Sequence, residues 1–103
     1  MKFSSLATRK RLTRAAITSY IEYAHRDETG TAGAVQELRF LQDWVRNPRC
    51  TDAVVDIRRY AARIVTATSS HWVHLELFRR DGQIREGRLY STGNRPADAY
   101  QPA

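Results

Sequence analysis

Several residue types and patterns are scarce in this 103-residue chain, and each scarcity excludes a class of protein. Cys50 is the single cysteine, so no internal disulfide can form and a reducing compartment is expected. No apolar run approaches the length of a membrane span, and no apolar segment follows the N-terminal charges as it would in a secretory signal. We therefore expect a cytoplasmic protein that does not enter the membrane.

The sequence also lacks the common catalytic and cofactor-binding motifs. It has no glycine-rich phosphate loop, no paired-carboxylate motif and no nucleophile elbow. His71 and His74 are spaced like half a metal site, but residues three apart on a strand face opposite sides. We expect no metal, no cofactor and no enzymatic activity. The alternative is a small toxin-type ribonuclease, in which His74, Arg88 and Tyr90 would meet on a sheet.

Basic residues, in contrast, are abundant. Seventeen Lys and Arg against eleven Asp and Glu give a formal net charge of +6, and all the cations except Lys2 and Lys10 are arginines. The planar guanidinium can bind a phosphate or a carboxylate through two parallel hydrogen bonds. The usual partners of a small basic domain are nucleic acid or an acidic protein surface. A source genome that favours Arg codons would produce the same excess.

A first helix is predicted over residues 6–26. Its apolar positions recur at spacings of three and four, which gives one buried stripe, and Ser5 or Thr8 is placed to cap its start. The stripe consists of Leu12, Ala16, Ile17, Tyr20, Ile21 and Ala24. The segment 27–30, which ends in Gly30, closes this helix.

Two further helices are predicted, over residues 32–46 and 51–66. The apolar positions of the second helix are Ala34, Val35, Leu38, Leu41, Trp44 and Val45, and those of the third are Val54, Ile57, Ala61, Ile64 and Val65. Phe40 and Trp44, four residues apart, are predicted to border the core. The branched segment 64–68 leaves an alternative open, in which a third strand leads into the C-terminal hairpin.

An antiparallel hairpin is predicted over residues 71–80 and 83–92. Asp81 and Gly82 between two strand-like runs are the strongest local signal in the chain. Without a bulge, Ile84 and Tyr90 share the face of Leu75, and an extra bulged residue moves both to the opposite face. The sequence leaves both registers open.

These elements predict an α+β fold, a three-helix layer packed on a C-terminal antiparallel β-hairpin. The prediction is one small basic domain over residues 1–92 and a polar tail over residues 93–103. The order of elements resembles that of a winged helix, three helices followed by a two-stranded wing. The long helices and the connection 47–50, which lacks a tight Gly-type turn, depart from that family.

Three groups of basic residues are the candidate binding site. They are Arg9, Lys10, Arg11 and Arg14 at the N-terminus, Arg58, Arg59 and Arg63 in the third helix, and Arg79, Arg80, Arg85 and Arg88 in the hairpin. The leading hypothesis is a nucleic-acid-binding regulatory or accessory protein that contacts DNA or RNA phosphates. It requires the three groups to share one surface of the folded chain.

The alternative hypothesis is a protein-binding inhibitor or adaptor, of the kind that mobile elements encode, which docks on an acidic partner. Arg, Tyr and Trp dominate protein interfaces, and the chain is rich in all three. A homodimer is a further possibility. It is expected if the helices leave the face of Trp72 and Phe78 uncovered.

Overall fold

The computed structural model describes residues 12–47, 49 and 54–93, and these contain one helix followed by one four-stranded antiparallel sheet. The elements are α1 (Arg14–Thr29), β1 (Ala34–Arg46), β2 (Val55–Val65), β3 (Ser70–Arg80) and β4 (Gln83–Gly93). The strand order β1-β2-β3-β4 means that each strand pairs with the next one in the chain. Of the predicted tail, only Gly93 lies within the described residues, and it ends β4.

The predicted three-helix layer is wrong, because residues 34–46 and 55–65 form strands instead of helices. In β1 the cause is a set of three irregularities in its pairing with β2. Each irregularity changes which residues point to a given face. As a result Val35, Leu38 and Trp44 all pack against the core, at intervals of three and six residues. A bulged strand thus reproduces the apolar spacing of a helix.

In β2 the cause is burial on both faces. Tyr60, Ala62 and Ile64 point to the side of α1, whereas Ile57 and Ala61 point to the other side, and all five are buried. A central strand covered on both sides shows no simple alternation of apolar and polar residues. The apolar positions that predicted a helix therefore combine residues from two opposite faces.

The first predicted helix is present, with different ends. Thr13 caps it by accepting a 3.1 Å hydrogen bond from the Ala16 N–H, and Gly30 closes it in the left-handed conformation, with a φ of 72°. Residues 6–11 and the two proposed caps lie outside the described part of the chain. The apolar stripe is confirmed, since Ala16, Ile17, Tyr20 and Ile21 are buried.

Helix α1 packs on one face of the sheet, which we call the inner face. The opposite face is the outer face. The core comprises Ala16, Ile17, Tyr20 and Ile21 of α1 with Leu38, Tyr60, Ala62, Ile64, Val73, Leu75 and Leu77 of the inner face. Two side chains of α1 also bond to the backbone of β1: the Glu22 carboxylate accepts from the Val35 N–H at 2.8 Å, and Arg14 donates to the Leu38 carbonyl at 3.0 Å.

The predicted hairpin is present as β3 and β4. Asp81 and Gly82 have φ values of 49° and 83°, as a two-residue type I′ turn requires. Arg79 lies opposite Ile84, and an irregularity before the next pair shifts the register of β4. Ile84 therefore lies on the inner face, as the register without a bulge predicts. Tyr90 lies on the outer face, as the bulged register predicts.

Candidate functional site

The described members of the three predicted basic groups do not share one surface. Arg14 is on α1, and Arg9, Lys10 and Arg11 lie outside the described residues. Because side chains alternate along a strand, each of the other two groups divides between the faces. By register, Arg58 and Arg79 point to the inner face, Arg59, Arg63, Arg80 and Arg88 point to the outer face, and Arg85 is exposed at the irregularity in β4.

Carboxylates compensate much of this charge. Four ion pairs involve candidate residues: Arg58–Asp43 at 3.6 Å, Arg59–Glu76 at 3.0 Å, Arg79–Asp56 at 3.0 Å and Arg88–Glu86 at 2.8 Å. The described residues contain twelve Arg and nine Asp or Glu, a balance of +3 within the +6 of the whole chain. Nucleic-acid binding stays a prediction, and this placement does not supply the common cationic surface that it requires.

One group of side chains on the inner face combines arginine with aromatic rings. We call Phe40, Trp44, Arg58, Tyr60 and Arg79 the arginine–aromatic cluster. The Arg58 Cζ lies 4.6, 5.5 and 5.9 Å from the ring centroids of Phe40, Tyr60 and Trp44, and the Arg79 Cζ lies 4.2 Å from the centroid of Trp44. Phe40 also meets Tyr60 edge to face, with 5.4 Å between centroids. Sequence reasoning placed Phe40 at the core, but half of its surface is exposed.

The two arginines of the cluster differ in their polar partners. Arg79 donates from Nε and Nη2 to the same Asp56 oxygen, at 3.3 and 3.0 Å. The Arg58 Nε is buried and has no hydrogen-bond partner among the described residues, and the nearest Asp43 oxygen is 3.6 Å away. Burial raises the pKa of Tyr60, and the nearby Arg58 charge opposes that rise. Arg58 is thus held mainly by rings, with the Asp43 carboxylate at the longer distance of 3.6 Å, and its side chain keeps 22% of its surface exposed.

The outer face carries a different layer. At its centre Arg59 donates to Glu76 at 3.0 Å and to the Gln42 side-chain oxygen at 2.6 Å. On either side of the Arg59–Glu76 pair an arginine stacks on an aromatic ring. The Cζ of Arg39 on β1 is 5.1 Å from the centroid of the Trp72 ring, and the Cζ of Arg88 on β4 is 5.1 Å from that of the Phe78 ring. Beneath these long side chains lie the buried residues Ile57, Ala61 and His74.

The three residues of the ribonuclease alternative lie together on the outer face. His74 is in register with Tyr90, and Arg88 points to the same face two residues before Tyr90. The His74 ring, however, is only 3% exposed, and burial lowers its pKa. A group that transfers protons must reach its substrate, and this ring does not reach solvent.

A pair of histidines from α1 and β3 lies on the inner face. The ring centroids of His25 on α1 and His71 on β3 are 5.2 Å apart, and His25 is buried. Burial, and then the proximity of His25, lower the pKa of His71. The residues are far apart in sequence, so no local pattern could reveal their contact. Within the described residues, no three side chains of His, Cys, Asp or Glu are grouped to hold a metal ion.

Sequence reasoning missed Arg39, although a local signal was present. Glu37 and Arg39 form an ion pair at 3.1 Å, and Glu86 and Arg88 form a second one at 2.8 Å. Residues two apart share a face only on a strand. Opposite charges at this spacing therefore favoured strands in both segments.

No protein-family model matches the chain, and no curated protein or solved structure shows significant similarity to it. In the part of the chain that the structure describes, no helix has the length and apolar character needed to cross a membrane. Cytoplasmic location stays a prediction.

Proposed function

We propose that this chain is a protein-binding inhibitor or adaptor that docks on an acidic partner through the arginine–aromatic cluster. The observation that carries the proposal is the position of Arg58, whose guanidinium is held against three rings beside the exposed half of Phe40. Trp, Tyr and Arg are the residues that contribute most of the binding energy in protein interfaces.

Preorganisation supports this role for Arg58. A free arginine side chain loses conformational entropy when it binds, at a cost of about 0.5–1.5 kcal/mol for a side chain of this kind. Contacts with Phe40, Trp44 and Tyr60 restrict the Arg58 side chain before any partner arrives. A carboxylate of the partner would therefore meet a guanidinium that is already oriented.

Local charge supports an acidic partner. Among the described residues, Arg46 joins Arg58 and Arg79 at this end of the inner face, and the acids that pair with or lie opposite these three are Asp43 and Asp56. Three cations against two carboxylates leave a positive balance, and the chain as a whole carries +6. Attraction between opposite potentials increases the rate of association and disfavours basic partners.

The proposal is tested with short synthetic peptides rich in Asp and Glu that contain one Trp or Leu, and with the same peptides carrying Asn and Gln. Binding is measured by fluorescence polarisation at constant salt. The wild type should bind the acidic peptides more tightly. Arg58→Gln and Phe40→Ala should each weaken that binding at least about tenfold, which corresponds to about 1.4 kcal/mol.

Arg88→Gln is the matched control, because Arg88 also stacks on a ring and pairs with a carboxylate but lies on the outer face. It should leave peptide binding unchanged, and thermal melts should show that all variants fold. Equal binding of acidic and amide peptides would reject the proposal. Oligonucleotides belong in the same panel: binding with a steep salt dependence that Arg58→Gln leaves intact would support the nucleic-acid hypothesis instead.

A further inference from the structure

The outer face has no second layer over it among the described residues. Trp72 and Phe78 are only half-buried there, and Tyr90 is exposed. A sheet that carries aromatic residues on an uncovered face normally packs against another layer. We propose that this layer is a second copy of the chain, which forms a homodimer with two-fold symmetry through the two outer faces.

The register of β2 and β3 carries the proposal. Four cross-strand pairs on the outer face lie one above another along the two central strands: Arg63 with Trp72, Ala61 with His74, Arg59 with Glu76, and Ile57 with Phe78. In each pair the β2 member and the β3 member have complementary chemistry. The Arg63 and Trp72 pair combines a cation with an aromatic ring, and the Ala61 and His74 pair combines a small side chain with a large one. The Arg59 and Glu76 pair has opposite charges, and the Ile57 and Phe78 pair is apolar.

The two-fold axis would lie in the plane between the two outer faces, parallel to the strands and midway between β2 and β3. With this axis, the two residues of each cross-strand pair also contact each other between the two copies. It places every β2 residue of one copy against the β3 residue of the same pair in the other copy. Arg59 then meets Glu76 of the second copy, and Ile57 meets Phe78 of the second copy. The same axis places Arg39 on β1 against Tyr90 on β4. The match holds in both directions, as a symmetric interface requires.

The charges of the outer face favour a second copy over a purely acidic partner. Glu37, Glu76 and Glu86 accompany the arginines of this face and would repel a surface that carries only carboxylates. A second copy of the chain carries the same mixture of arginines and glutamates, so it can offer an opposite charge to each. At the rim Val45 would meet Glu86, which remains able to reach solvent because both positions are exposed.

The size of the face is sufficient for a stable dimer. Strands of 11 residues are roughly 35 Å long, and four strands at their usual spacing are roughly 19 Å wide. The product is roughly 650 Å² per copy, or about 1,300 Å² for both, which lies within the range of specific interfaces. Face-to-face sheets pack with their strands about 30° apart, so the central strands carry most of the match.

The first test measures the mass of the full chain by light scattering during size-exclusion chromatography. The wild type should have twice the mass of the 11.9 kDa chain. Phe78→Arg should weaken the dimer at least about 100-fold, because it places a cation against Ile57 of the second copy and opposes the apolar contact. The matched control is Phe40→Arg, the same change on the inner face, which should leave the dimer intact.

The second test exchanges charges. Arg59→Glu and Glu76→Arg each break the pair within the chain and between copies, so each variant alone should be monomeric and less stable. An equal mixture should form a heterodimer, because each Glu then faces an Arg of the other chain, and its melting temperature should exceed that of either variant. A chain with both changes restores every pair and should dimerise like the wild type.

A wild type that stays monomeric at its highest soluble concentration would overturn the proposal, and so would a dimer that Phe78→Arg does not weaken. A mixture of the swapped variants that is no more stable than its components would overturn it as well. The result is separable from the proposed function, because Phe78→Arg should retain binding of acidic peptides and Phe40→Ala should retain the dimer.

Discussion

The two faces of the sheet are built by the same strands but are stabilised by different interactions. On the inner face, Leu75 and Leu77 are completely buried under the apolar stripe of α1. On the outer face, Arg59 and Glu76 keep side-chain exposures of 12% and 14% and form an ion pair. The inner face gains its stability from removing apolar surface from water. Among the described residues of the outer face, only Ile57 and Ala61 contribute in this way, and the ion pairs add little because they recover mainly the cost of desolvating their charges.

This difference separates stability from recognition. Domains of this size are stable by only about 5–15 kcal/mol, so the loss of one core side chain is a large fraction of the total. Exposed or half-buried charges can change at much smaller cost. The exposed charges of the outer face and the exposed part of the arginine–aromatic cluster are therefore where substitution should alter binding more than folding.

The largest effect is expected at the centre of the inner face. Leu75→Ala removes a completely buried side chain and leaves a cavity between β3 and α1, so the free energy of unfolding should fall by about 2–5 kcal/mol. Val45→Ala, at an exposed position on the outer side of β1, should change it by no more than about 0.5 kcal/mol. Urea denaturation followed by circular dichroism measures both. Similar losses at the two positions would contradict the contrast between the faces.

A smaller effect is expected at Gly87, where α1 approaches β4. A Cβ at this position would lie 2.6 Å from the Tyr20 hydroxyl oxygen and 3.1 Å from the ring carbon that carries it. Gly87→Ala should therefore force the Tyr20 side chain, the helix or the strand to shift, at a cost of about 1–3 kcal/mol.

Tyr20→Phe provides the control, because it removes the hydroxyl that the new methyl group would meet. The cost of Gly87→Ala should be lower in the Tyr20→Phe background than in the wild type, which a double-mutant cycle measures. Strictly additive costs would show that this helix–strand contact does not limit the space at Gly87.

The smallest expected effect is a loss of folding stability at acidic pH. It can be compared between the two faces because His71 lies on the inner face and His74 on the outer face. Burial lowers the pKa of His71 on the inner face and of His74 on the outer face below the ordinary value of 6.5. The unfolded chain therefore binds more protons than the folded chain as the pH falls below that value. Stability should be full above about pH 6.5 and should decline progressively below it.

Urea denaturation at about pH 7.5 and about pH 5.5, on either side of the ordinary histidine pKa, measures this decline. His71→Asn and His74→Asn should each reduce the difference in unfolding free energy between the two pH values. The variant that reduces this difference more identifies the face whose histidine contributes more to the loss of stability at low pH. A difference unchanged in both variants would assign the decline to other groups.

The parts of the fold that the sequence predicts are those with a local cause. Asp81 and Gly82 supply the positive φ values of a two-residue turn, and they predict the hairpin by themselves. The stripe of α1 repeats without interruption, and Gly30 marks its end. Both features depend on neighbours in the chain, so sequence reasoning finds them.

The remaining strands depend on partners that are distant in sequence. The irregularities of β1 follow from its pairing with β2. Strand β2 is buried on both faces because α1 packs on one side and because β1 and β3 flank it, with Arg39 of β1 opposite Ala61 on the other side. The candidate site could not be predicted for the same reason, since its residues come from strands that are distant in sequence. Phe40 and Arg58 are 18 positions apart and become neighbours only because β1 pairs with β2.

The hydrogen bonds from α1 to β1 also bear on self-assembly. Glu22 and Arg14 bind backbone groups of Val35 and Leu38, and the pairing irregularities interrupt the regular geometry of the same strand. A strand in this state is a poor template for a further strand. A further strand that added at the β1 edge would have to displace the bonds to Val35 and Leu38.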